Sequence, residues 1–183
     1  MRVISSVVFL TAATFFGLPA ASAAVCPASS FVQSAGSAFI GAARNGSPGA
    51  FIGVASRYAD LNGIAMFALG PHRAQLKKSQ QAEYVTLTRN FIGRFMSQNS
   101  SRLASDGLAV TDCAGSGNAL TVGTKTGNGK RIIFKVYKTR AGYRVRDVNV
   151  SSYWLAQQLR SKFTSVIRSN NGDIGALFAY LRN

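Results

Sequence analysis

The chain predicts an α+β fold, a curved four-stranded antiparallel sheet packed with N-terminal and C-terminal helices. Apolar residues recur at helical spacing up to about Arg102 and again beyond Ser152, whereas from Asp106 the period drops toward two. The period-two stretch is also punctuated by Gly115-Ser116-Gly117-Asn118, Gly127-Asn128-Gly129 and Ala141-Gly142, which mark hairpin turns.

Ahead of the fold, Arg2 precedes the apolar run Val7 to Leu18, then Pro19 and Ala21-Ser22-Ala23. That order is a signal peptide with a small-residue cleavage site, expected to occupy 1–23 and to send the mature part out of the cytoplasm. The run is too short to span a bilayer, which needs roughly 20 apolar residues. Residues 24–183 are expected to form one domain. A lipid-anchored Cys26 is disfavoured because the branched Val25 stands where such sites call for a small residue.

Phe31, Ala35, Ala38, Phe39 and Ala42 form a first helical stripe, and Gly46-Ser47-Pro48 breaks it before Phe51, Val54 and Tyr58 resume the pattern. Asp60 reads as the N-cap of a helix over Leu61 to Leu69, stopped by Gly70-Pro71. Ser79 reads as the cap of a longer helix with Tyr84, Leu87, Phe91 and Phe95 on one face. Strands are expected over 107–113, 119–126, 130–139 and 142–150. In the third, Ile132, Phe134 and Val136 alternate with Arg131, Lys135 and Tyr137, so one face is apolar and the other basic or polar. Ser151 or Ser152 reads as the cap of a helix with the stripe Leu155, Leu159, Phe163 and Val166. Asp173 opens a last helix carrying Ile174, Leu177, Phe178 and Leu181.

Of 21 Lys and Arg residues only Arg2 lies in the leader, and 6 acidic residues face them, so the mature chain keeps nearly all of a formal charge of +15. Such a charge attracts anions. Export argues against nucleic acid and leaves anionic lipid headgroups or an acidic protein, with a merely solvated cationic surface as the alternative. The basic residues read as spread along the chain, with no dense block. The two cysteines outside the leader, Cys26 and Cys113, read as a structural disulfide in an oxidising compartment, two free thiols being the alternative.

The inventory for catalysis is poor: one histidine, His72, in a turn after Gly70-Pro71, one glutamate, Glu83, and five scattered aspartates. No paired-carboxylate, triad or metal-ligand spacing emerges, and the glycine-rich turns have no phosphate-loop ending. A binder is expected, with no cofactor and no metal. Apolar side chains exceed what a small sheet and short helices need for a core, which suits either a cavity or plain core.

The run Asp60 to Gly70, then Gln80-Gln81 through Tyr84 and Phe91 to Phe95, resembles the mid-region of the toluene-tolerance family, the MlaC-like periplasmic phospholipid carriers. Tyr143 to Val150, followed by Leu159 to Phe163 and Gly172 to Leu181, resembles the same family's closing strand and helices. The sequence departs from the family where Tyr143 stands for tryptophan and where Ser151-Ser152-Tyr153-Trp154 replaces a Glu-Gly-Val-Ser run. The resemblance implies an apolar pocket and a monomeric periplasmic carrier. Such a carrier passes phospholipid, its cargo, between an outer-membrane lipoprotein complex and an inner-membrane ABC transporter complex, maintaining outer-membrane lipid asymmetry.

On that reading, alternation and helical stripes place the lining at Ile64, Phe67, Phe91, Phe95, Leu120, Val122, Ile132, Phe134, Val136, Tyr143, Val145, Trp154, Leu155, Leu159 and Phe163. Ordinary core is the alternative for each. Asp147 and Arg160 match family positions and are expected to form a structural ion pair between strand and helix. The rivals from other classes are a cationic periplasmic adaptor without ligand and a small α+β enzyme.

Overall fold

The computed structural model describes residues 26–183, and the expected signal peptide over 1–23 lies outside the described residues. Helices α1 (Ser29–Asn45), α2 (Pro48–Tyr58), α3 (Leu61–Ala68), α4 (Gln81–Gln98) and the single turn α5 (Ser100–Leu103) precede the sheet. Strands β1 (Leu108–Ser116), β2 (Ala119–Thr126), β3 (Arg131–Thr139), β4 (Gly142–Val150) and β5 (Tyr153–Trp154) follow in order, each antiparallel to the next, and α6 (Leu155–Ser169) and α7 (Ile174–Arg182) close the chain. The sheet therefore has five strands where four were expected.

Local chemistry explains most boundaries. Ser47 accepts the Ala50 N–H with Pro48 in the first turn of α2, and Asp60 Oδ1 accepts the Gly63 N–H at 3.0 Å to start α3. Ser79 is not the cap of α4: it sits inside a 3₁₀ turn over Lys78–Gln80, and α4 follows directly from Gln81 without a side-chain cap. Ser151 and Ser152 do not cap α6 either. Both take left-handed backbone (φ 51° and 70°), forming a tight turn that folds Tyr153–Trp154 back onto β4 as the fifth strand.

Three apolar clusters hold the molecule. The sheet's inner face (Leu120, Val122, Ile132, Phe134, Val136, Val145) packs under Val32 and Ala35 of α1. A helical cluster joins Tyr84, Phe163, Ile167, Leu177 and Leu181 of α4, α6 and α7, all fully buried, with Ala65 and Met66 of α3. Phe51, Met96 and Ala43 tie α2 and α4 to α1. The helical layer approaches the sheet at its flanks, α1 against β1 and α2, α3 and α6 against β4. Cys26 and Cys113 form a disulfide that fastens the start of α1 to β1. Among the described residues no helix is long and apolar enough to cross a membrane.

Candidate functional site

Strand alternation decides which residues can face the helices. Register pairs Leu120 with Val136, Val122 with Phe134 and Val136 with Val145, so these five share the inner face, and all are buried. Tyr143 stands half-buried at the end of that face, its ring 5.9 Å from Phe31. Ile132 completes the sheet group.

The helical members of the expected lining are placed elsewhere. Phe91 touches Phe163 edge-on at 5.6 Å and lies 6.4 Å from Phe95, which is 44% exposed. Leu159 and Phe163 belong to the helical cluster, while Leu155 packs against the α1–α2–α4 group. Ile64 is half-buried on α3, and Phe67 reaches the surface under the Arg160 guanidinium, 5.1 Å from the ring centroid. The structure thus brings six lining residues together on the sheet with Tyr143 at their edge, places Phe91, Leu159 and Phe163 in the helical cluster and Leu155 in the third, and leaves Ile64, Phe67 and Phe95 outside all three.

Trp154 departs from the expected lining. It pairs with Asn149, which pairs with Ile133, and this row lies on the outer face of the sheet; Lys135 Nζ sits 4.1 Å from the indole centroid. Placing Trp154 required a fifth strand, and a two-residue strand carries no periodicity that a sequence can display.

The expected Asp147–Arg160 ion pair is not formed. Asp147 Oδ1 accepts the Ala156 N–H at 2.8 Å and the Val148 N–H at 2.9 Å, so the carboxylate supplies the cap that Trp154, preceding α6, cannot. Arg160 is held by Phe67 instead. Burial pushes the Asp147 carboxyl above its ordinary range, against the two backbone donors and the nearby Lys135. Asp60 has the strand-to-helix role: its Oδ2 meets Arg146 Nε at 2.9 Å, and its N–H donates to the Val145 carbonyl, joining α3 to β4.

Sequence reasoning missed the helical cover of the sheet, Val32, Ala35 and Tyr58; the α1 stripe was visible, but which surface it meets is a tertiary fact. Among the described residues, an open depression of about 320 Å³ lies beside Lys130, Arg131, Ile133, Asn149, Ser151 and Ser152, and another of about 410 Å³ beside Asn118 and Tyr137 to Arg140. Neither is lined by the residues expected at an apolar pocket. His72 lies in a 3₁₀ turn with Gln75 Nε2 3.3 Å from its Nδ1. Among the described residues no group of three or more His, Cys, Asp or Glu could hold a metal.

The family model described as MlaC protein matches residues 46–183. No curated protein matches the chain. Among solved structures, the chain is similar to a phospholipid-binding protein from Ralstonia solanacearum, solved in complex with a phospholipid. The TM-score is 0.72 at 19% identity, with 85% of this chain and 94% of that one covered.

Proposed function

Because the chain belongs to the MlaC family, we propose that it is a phospholipid carrier of the periplasm. It would act as the soluble component of an ABC-transport system, taking or delivering lipid at an inner-membrane transporter complex and an outer-membrane lipoprotein complex. The family match over residues 46–183 is the observation that carries this reading. The similar Ralstonia solanacearum protein, with its bound phospholipid, supports the cargo class.

The site we propose is the inner face of the sheet, Leu120, Val122, Ile132, Phe134, Val136 and Val145, together with the helical residues opposite. The helices approach this face at its flanks, so the central strands are covered by side chains, and repacking these is the cheapest way to admit acyl chains. Each CH₂ left in water costs about 0.8 kcal/mol, so carrying two acyl chains between membranes without a pocket would cost on the order of 20 kcal/mol. Bilayer and pocket are both apolar, which leaves the transfer between them nearly balanced, and direction comes from the partners.

Native mass spectrometry of protein purified from a bacterial periplasm, followed by solvent extraction, tests the proposal. Stoichiometric phospholipid is expected. A lipid-free mass that also refuses added phospholipid would overturn it in favour of the adaptor.

A further inference from the structure

Lipid carriage uses the inner face of the sheet and leaves the outer one without a role. Register puts Lys125 opposite Arg131 and Tyr137 opposite Arg144 on that outer face, with Lys135 on the same face opposite Thr121. Arg146, the extra residue of the β4 bulge, lies 4.1 Å from the Tyr137 ring centroid, and Lys135 lies equally close to Trp154. Residues 125–146 contain no acid. Thus folding collects on one surface a charge that reads as dispersed along the chain.

Few carboxylates answer it. Asp112 pairs with Arg131 at 3.1 Å and Asp60 with Arg146 at 2.9 Å, while Asp147, opposite Lys135, is buried and bound to the α6 N-terminus. Lys125, Lys135 and Arg144 have no carboxylate within 4.0 Å among the described residues.

We propose that this outer sheet face docks on an anionic bilayer surface. The cations are spread over several strands, roughly 4.8 Å apart, and do not converge on a pocket, which suits a plane of headgroups better than an acidic peptide. They are interleaved with the rings of Trp154 and Tyr137. Indole and phenol rings among Lys and Arg are the composition that settles at headgroup depth.

The test is flotation of the whole mature protein with phosphatidylcholine vesicles, with and without phosphatidylglycerol, at low and raised salt. Binding is expected only with the anionic lipid, weakening with salt. Each headgroup-facing cation contributes about fivefold to partitioning, so K125Q/K135Q/R144Q lowers it about a hundredfold. R73Q/K77Q/K78Q removes the same charge from the α3–α4 connection and lowers it much less. Trp154, the single tryptophan, supplies a second readout: its emission shifts to the blue on vesicle binding. Equal losses for the two triple variants, an unmoved emission, or no binding to anionic vesicles would each overturn docking. Binding to polyglutamate but not to vesicles would overturn it in favour of an acidic protein partner. Bound lipid measured by mass on the same variants keeps the two proposals separable, because docking can fail while cargo is retained.

Discussion

Asp147 holds a negative charge where burial resists it, and its value to the fold lies in what its oxygen accepts. Asp147→Ala strips the Ala156 N–H of its acceptor and is expected to cost about 1–3 kcal/mol in urea unfolding. Asp147→Asn keeps the acceptor and removes the charge. Because the folded carboxyl titrates above its ordinary value, the folded state binds the extra proton, so stability falls as pH rises from the ordinary carboxylate range through the raised one. Asp147→Asn is therefore expected to be as stable as the parent or more so at neutral pH, an advantage that fades as pH falls from the raised range to the ordinary one. Stability curves that stay parallel over that range would contradict this. Two residues beyond β4, Ser151 and Ser152 both carry left-handed backbone that an L side chain resists. Ser152→Gly is expected to stabilise the fold by about 0.5–1 kcal/mol, read as a higher urea midpoint. The Asp60 cap was legible because its acceptor and donor lie three residues apart; the α6 cap was not, because Asp147 and Ala156 meet only after β4 and β5 have paired.

At the scale of elements, the extensive packing of α2 on α4 rests on an absent side chain. A Cβ at Gly93 would stand 2.5 Å from Ile52 Cγ1 and 3.0 Å from the Pro48 carbonyl oxygen, so α4 lies against α2 by virtue of that glycine. Gly93→Ala is expected to cost about 1–3 kcal/mol despite its better helix propensity. A gain in thermal midpoint would show that the helices can separate freely. The disulfide closes a span of 87 residues between α1 and β1, and Cys26→Ser/Cys113→Ser is expected to lower stability by roughly 4–5 kcal/mol on the chain-entropy account. Denaturant unfolding of the oxidised parent and the double variant measures it. Strand limits were readable to within a few residues because period two is a local signal. The 3₁₀ entry to α4 was not readable, since Ser79 followed by Glu83 looks like a capped helix whether or not the first turn is α-helical.

For the whole molecule, sequence alternation located the sheet residues of the proposed site and left open whether they are core or lining, because a buried valine looks the same in both. Composition likewise gave the net charge without its placement, which depends on strand register and the β4 bulge. A volume increase on the sheet separates core from lining. Val136 is 2% exposed, so Val136→Phe overfills the closed form by about 1–3 kcal/mol and occupies space that acyl chains would take. Leu177→Ala, in the helical cluster, costs about 2–5 kcal/mol and leaves the sheet face untouched. If the sheet face holds lipid, Val136→Phe lowers the lipid-to-protein ratio of the folded fraction, and Leu177→Ala, although the less stable of the two, keeps it. Ratios that simply follow stability in both variants would make the sheet face ordinary core and move the cargo site to the helices.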